Sequence, residues 1–277
     1  IITSGIDGSI KSIFEIFTNI GDKIAILHPT YAMYEVYSRI FQTKLFKIGY
    51  KNFKLDKKSL FKTIKTKKIK ILFIPNPNQP IEDIISLKNM KKICNLCKRH
   101  KILLVVDEAY YMFGAPTSAS LCKKNENILV LRTLSKSFGI PSVRFGYAIG
   151  HEKIIRIFHS YRLAYESNFL ADKVVEYFLK NFSLISSYIK EVKNGRDFFI
   201  KEIRKLNLKE IGKKSNFLLI DFSSKIILEK ILKKFKQKKI YVKSNYKGDL
   251  SNCILVTCGI KKTMKKLLKI IQSEVRQ

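Results

Sequence analysis

The first half of the chain sets short apolar runs between longer stretches with helical spacing. Apolar, β-branched runs stand at 23–27 (KIAIL), 45–48 (LFKI), 69–74 (IKILFI), 102–106 (ILLVV), 128–132 (ILVLR) and 145–149 (FGYAI). Runs this short, without polar alternation, suit strands buried on both faces. Between them, apolar residues recur every three or four positions over 9–19, 31–41, 87–100 and 152–161, which predicts helices. The alternation implies an α/β fold with a mostly parallel sheet covered by helices. Beyond about residue 165 the pattern changes. An amphipathic stretch over 170–206 predicts two helices or one bent helix. There follow FLLIDF (217–222), a helix over 226–238, KIYVKS (239–244), ILVTCG (254–259) and a last helix from 262. The expectation is a large domain over 1–165 and a smaller α+β domain over 166–277, joined by a bridging helix. The chain opens in IITSG, which reads as a strand end and lacks an initial Met, so a preceding segment is expected.

Composition narrows the function classes. With 277 residues, 46% hydrophobic and 27% charged, the chain can bury a sizeable core and is not generally disordered. No apolar run reaches the length of a membrane span. The formal net charge is +32, from 45 Lys and 9 Arg against 22 acidic residues. Nucleic-acid recognition favours Arg, and the Lys clusters at 62–68, 233–239 and 261–266 do not form one stripe. They read as solvated faces, so neither a nucleic-acid nor a membrane partner is expected. Five Cys without a secretory signal argue for reduced thiols and a cytoplasmic location. Cys94 and Cys97 form a lone CxxC inside a helical pattern, with no second ligand pair, so no metal is expected.

The chemistry should sit beyond the carboxyl ends of the strands. There the sequence places Ser4-Gly5-Ile6-Asp7-Gly8, His28-Pro29-Thr30-Tyr31, Pro75-Asn76-Pro77-Asn78-Gln79-Pro80, Asp107-Glu108-Ala109-Tyr110 and Thr133-Leu134-Ser135-Lys136. A glycine turn feeding a helix start presents free N–H groups to a phosphate. Thr133 and Ser135 add hydroxyls, and Arg144 a bidentate charge. Asp107 at a buried strand end needs a cation or a strong donor, which a protonated ring nitrogen supplies. Lys136 can form a Schiff base with an aldehyde, and Tyr31 can stack on a flat ring. Phosphate, ring, ring nitrogen and aldehyde together describe pyridoxal 5′-phosphate (PLP).

The segments GDKIAILHPTYAMYEVYSRIF, FIPNPNQP, VVDEAYYMF and RTLSKSFGIPSVRFGYAIG resemble, in order and spacing, the class I/II aminotransferases of PLP fold type I. The similarity runs through the histidinol-phosphate aminotransferase branch, which includes threonine-phosphate decarboxylase-like enzymes. It implies that Lys136 forms the internal aldimine and shuttles the proton. It further implies that Asp107 pairs with the pyridine nitrogen, that Tyr110 donates to the phenolic oxygen and that Tyr31 stacks on the ring. Ile6 and Asp7 then offer backbone amides to the phosphate, with Thr133, Ser135 and Arg144. Asn216 is implied on the substrate side, and Lys243 in the place of a family Arg. A small phosphorylated or anionic substrate and a homodimer are likewise implied.

Three places depart from the family pattern. Gln79-Pro80-Ile81-Glu82 stands where Asn-Pro-Thr-Gly is usual. Gln79 can still reach the phenolic oxygen, while Glu82 removes a glycine turn. Leu255 stands where an Arg holds the substrate anion, which removes a bidentate clamp. Lys247 and Arg162 are candidates to compensate. The family's N-terminal arm, with a Tyr that enters the partner subunit's site, is not in this sequence. Two other readings stay open: a PLP-dependent decarboxylase of a phosphorylated amino acid, and a degenerate homologue without turnover.

Overall fold

The computed structural model describes residues 1–161 and 166–275. The boundary expected near 165, and Arg162, lie outside the described residues. Strand β1 (Ile2–Thr3) leads into α1 (Gly5–Phe17), β2 (Lys23–Leu27), α2 (Met33–Ile40) and β3 (Lys44–Ile48). A hairpin of β4 (Tyr50–Lys51) and β5 (Lys54–Leu55) precedes α3 (Lys57–Thr66), β6 (Ile71–Pro75), α4 (Leu87–Arg99) and β7 (Leu103–Asp107). Then come α5 (Ala119–Cys122), β8 (Ile128–Thr133), α6 (Leu134–Ser137), β9 (Gly146–Gly150) and α7 (Glu152–Tyr161). The remainder holds α8 (Phe169–Lys180), α9 (Phe182–Arg204), β10 (Lys209–Ile211), β11 (Phe217–Asp221), α10 (Lys225–Gln237), β12 (Cys253–Thr257) and α11 (Lys261–Val275).

Seven strands form one sheet in the order β1-β9-β8-β7-β6-β2-β3. The five strands from β8 to β3 run parallel, and β9 and β1 close the edge in antiparallel fashion. Because side chains alternate along a strand, each strand feeds two cores. Ile24, Ile26, Phe73, Val105 and Leu131 pack under α1, α2 and α7. Ala25, Leu27, Leu72, Val106 and Val130 pack against α3 and α4 on the other face. Both faces are dry, which is why these runs carry no polar alternation.

A second sheet, β10-β11-β12, is antiparallel and packs with α9, α10 and α11. Its core also takes in Ile81, Tyr110, Phe113, Leu134 and Phe138, which stand on connections at the carboxyl edge of the large sheet. The small sheet is therefore seated against the edge where the candidate chemistry lies. Helix α9 approaches the chain after β12 so closely that a Cβ on Gly195 would stand 1.9 Å from the Gly259 carbonyl oxygen.

The stretch over 170–206 divides into two helices, α8 and α9. Three local features differ from the sequence reading. KIYVKS forms no strand; only Lys243 makes an isolated bridge, with Leu255. Lys239 and Asn245 at its ends take left-handed backbone angles, and Tyr241 between them is 83% exposed, so no face holds the segment in a ladder. Helix α3 and the β4–β5 hairpin were not expected, because the Lys-rich run there reads as a solvated surface. In α3 the lysines do face water, while Leu60 and Ile64 are buried and Asp56 caps the first turn through Ser59 N at 3.0 Å. Helix α1 starts at Gly5, ahead of the expected residue 9.

Among the described residues, no helix is long and apolar enough to cross a membrane. Burial pushes all five thiols up, Cys94 to about 11 and Cys97 to about 12, so they remain protonated and inert at neutral pH.

Candidate active site

The loops after β2, β6, β7 and β8 meet the start of α1 around one cavity of about 210 Å³. Its walls include Ile6, Asp7, Tyr31, Gln79, Asp107, Tyr110, Thr133, Ser135, Lys136 and Arg144, together with Thr30, Pro75, Pro77, Ala109 and Pro141. Parallel strands aim their carboxyl ends the same way, so residues up to 138 positions apart arrive at one edge.

Asp107 ends β7 and is 7% exposed. Its Oδ2 accepts from the Tyr34 hydroxyl at 2.7 Å and its Oδ1 from Ala109 N at 2.9 Å. Among the described residues it forms no ion pair. Burial pushes its carboxyl up to about 6, against the lowering by those two donors. Tyr34 is itself fully buried, and burial raises its hydroxyl well above the ordinary range, so it stays a donor. Asp107 is thus held in one orientation while its charge lacks a cationic partner.

Lys136 stands on α6, the short turn that begins where β8 ends. Thr133 caps that turn, accepting from Ser135 N at 3.1 Å and bonding Ser135 Oγ at 3.0 Å. Lys136 is exposed to the cavity, its Nζ 5.8 Å from the centre of the Tyr110 ring. Tyr110 is buried and wedged edge-on against Phe217 of β11, centroids 5.0 Å apart. Burial raises its hydroxyl pKa as well.

At the start of α1, the Asp7 carboxylate accepts from Tyr31 Oη at 2.8 Å and from Arg144 Nη2 at 3.3 Å. Arg144 takes the left-handed conformation, φ +55°, beyond a short 3-10 turn. That conformation is uncommon for a non-glycine residue and occurs where surrounding structure imposes it. It lays the guanidinium over Gly5, where a Cβ would meet Nη2 at 2.9 Å. Gly5 takes φ +68°, which disfavours any side chain there, and a Cβ would also make the mobile end of Arg144 shift. The Tyr31 ring meets Tyr34 edge-on, 6.1 Å between centroids at 90°.

Asn216 and Lys243 are not among the residues that line this cavity. Asn216 directly precedes β11, its carbonyl accepting from Cys258 N at 2.7 Å. Lys243 is exposed, with its Nζ 5.8 Å from the Tyr246 ring centre. Lys247 is also exposed. Leu255 is 6% exposed and part of the small-sheet core, so that position presents no donor.

Sequence reasoning missed three participants. Tyr34 lies three residues after Tyr31 in PTYAMY, a spacing that sets both on one face of a helical turn, and this was the available signal. Glu108 is fully buried beside Asp107 and accepts from Arg132 Nη2 at 3.0 Å and Thr117 Oγ1 at 2.8 Å. Arg132 stacks 3.8 Å from the Tyr111 ring, so this pair secures the connection that carries Tyr110. Glu82 is not a broken turn: its carboxylate binds the backbone ahead of β11.

The chain belongs to the class I and II aminotransferase family, whose model matches residues 1–271. It is 32% identical to the histidinol-phosphate aminotransferase of Thermoanaerobacter pseudethanolicus over 80% of this chain and 62% of that protein. The match thus spans less than two thirds of that relative's length. The enzyme of the same name from Buchnera aphidicola subsp. Cinara cedri is 32% identical over 98% of this chain and 77% of that protein. Among solved structures, the histidinol-phosphate aminotransferase of Sinorhizobium meliloti in complex with pyridoxal-5'-phosphate shares the fold. Its TM-score is 0.90 at 18% identity, over 99% of this chain and 76% of that one. The Clostridium acetobutylicum protein superposes with a TM-score of 0.89 at 21% identity, over 100% and 83% of the two chains. The α/β architecture with its smaller α+β part is the one this family adopts.

Proposed function

We propose that this chain is the cofactor-binding body of a PLP-dependent aminotransferase of the histidinol-phosphate type, acting on a small phosphorylated or otherwise anionic amine. The observation that carries this reading is Asp107, a buried carboxylate with no ion pair among the described residues, on the same cavity as the accessible amine of Lys136. The donor set fits PLP. A protonated pyridine nitrogen meets the need of Asp107, and the phosphate finds the first amides of α1, Thr133, Ser135 and Arg144. Ile6 and Asp7 supply those amides. Bound there, PLP supplies an aldehyde for covalent capture by Lys136 and a ring that withdraws electrons from the substrate Cα.

The chain's own groups do the rest. Asp107, oriented by Tyr34 and Ala109 N, holds the proton on the ring nitrogen. Tyr110 and Gln79 donate toward the phenolic oxygen, and Tyr31 covers the ring from the α2 side. The Lys136 amine moves the substrate's Cα proton. Asn216 and Lys243 serve the substrate side, since Leu255 supplies no charge there. The division near residue 165 is taken as a domain boundary, and two copies as a homodimer in the cytoplasm.

The test is an absorption spectrum of the purified chain with PLP, then borohydride reduction and peptide mapping. The expected result is a yellow protein with the reduced adduct on Lys136, absent in Lys136→Ala. A colourless wild-type protein without adduct would overturn the reading. Product analysis with histidinol phosphate and with phosphothreonine then separates oxo product from CO₂ release.

A further inference from the structure

The Glu82 carboxylate lies 131 to 133 positions before its hydrogen-bond partners. Its Oε1 accepts from Lys213 N at 2.6 Å and Lys214 N at 2.7 Å, and its Oε2 from Ser215 Oγ. Glu82 is 9% exposed and Ser215 fully buried, so the Ser215 bond is shielded from water, while the two amide donors belong to exposed residues on the same turn. Hydrogen bonds to a carboxylate are the strong kind, and three on one group fix its position. The same turn is held from its other side by a cation. Arg196, 5% exposed on α9, donates from Nη1 to the Ser215 carbonyl at 2.9 Å. The turn is thus bound at its amides by an anion and at a carbonyl by a guanidinium.

We propose that Glu82 is a positioning residue that ties the turn before Asn216 to the loop carrying Gln79, and so sets where the substrate-side segment stands relative to the cavity. Gln79 lines the cavity three residues before Glu82, and Asn216 follows Ser215 directly. The clamp therefore fixes the distance between a cofactor-side residue and a substrate-side one. A glycine at position 82 would have no carboxylate, and the Lys213 and Lys214 amides would lose their acceptor, leaving Arg196 on the Ser215 carbonyl and Cys258 N on the Asn216 carbonyl to hold the turn. Where the resemblance implies a glycine turn, this chain has an anionic link between its two sheets. The proposal rests on the substrate role given to Asn216 above, so its test has one arm that needs no catalysis.

In the first arm, amide hydrogen exchange is followed on the full chain and on Glu82→Ala. Exchange at the Lys213 and Lys214 amides should rise at least about tenfold, with β7 and β8 unchanged. Glu82→Gln keeps the volume and one acceptor oxygen, so it should fall between the two and serve if the Ala variant does not fold. In the second arm, the PLP-loaded proteins are mixed with histidinol phosphate and the loss of visible absorbance is timed. The half-saturating concentration should rise about tenfold in Glu82→Ala, with the limiting rate and PLP affinity within about twofold. Unchanged exchange at 213 and 214 would overturn the clamp. Faster exchange with an unchanged half-saturating concentration, or with PLP affinity lost in parallel, would overturn the positioning role. A wild-type protein that takes no PLP on Lys136 fails the enzymatic reading instead, and the exchange arm still decides the clamp.

Discussion

The Tyr34 hydroxyl stands 2.7 Å from Asp107 Oδ2, and both side chains are buried under the start of α2. Tyr34 is the only side chain that donates to Asp107 among the described residues. It partly offsets the cost of burying the charge, and it leaves the carboxylate free to take a second donor from the cavity. Tyr34→Phe removes the donor with almost no change in volume. The carboxyl pKa should move further up from about 6, since the hydrogen bond lowers it. PLP affinity at neutral pH should fall about tenfold, and the midpoint of its pH dependence should rise by about one unit. Spectrophotometric PLP titrations at several pH values check this; an unshifted midpoint would remove Tyr34 from the site.

Asp107 also makes the stability of the cofactor-free chain pH-dependent. Its carboxyl is raised from 3.8 to about 6 by burial. Between those values the unfolded chain has released the proton that the folded chain keeps. Stability is therefore greatest below about pH 4 with respect to this group and falls as pH rises to about 6, by roughly 3 kcal/mol. Asp107→Asn should lack that loss. Without cofactor it should be more stable than wild type at pH 7 and no more stable at pH 4, in paired denaturant melts. With PLP present, the wild type should bind more tightly above about pH 6 and weaken below it, as the ionised partner of the ring nitrogen disappears. Equal melts at both pH values would show that Asp107 is not desolvated.

Gly195 lies mid-helix in α9, where glycine weakens a helix by about 1 kcal/mol relative to alanine. Here the exchange should have the opposite sign. A Cβ would meet the Gly259 carbonyl oxygen at 1.9 Å and the Ile260 carbonyl carbon at 2.9 Å. Helix α9 would have to move off the segment that leads into α11. Gly195→Ala is expected to destabilise by about 3 kcal/mol, at the upper end of overpacking costs. Chemical denaturation measures it, and a variant as stable as wild type would mean that α9 sits further from β12.

Much of the large sheet was legible along the chain. KIAIL, ILFI, ILLVV and ILVLR are strands because strands dry on both faces carry uniform apolar runs. The residues on the carboxyl side of those runs could be assigned to one edge for the same topological reason. KIYVKS failed because its composition suits a strand, but left-handed residues at both ends take it out of the ladder. Helix α3 was missed because its lysines outnumber the apolar residues that bury it.

Local pattern by itself determined the succession of most strands and helices along the chain, the chemistry placed at each strand end and the family resemblance. Those depend on neighbours within a few residues, where periodicity and backbone preference act. The tertiary structure alone decided which polar atoms meet. Tyr34 reaches Asp107 across 73 positions, and Glu82 reaches Ser215 across 133. A hydrogen bond is strong only within a narrow range of distance and angle and out of water, and the packing of distant segments sets both conditions. That is why Glu82 reads as a damaged turn in one dimension and as a link between two sheets in three.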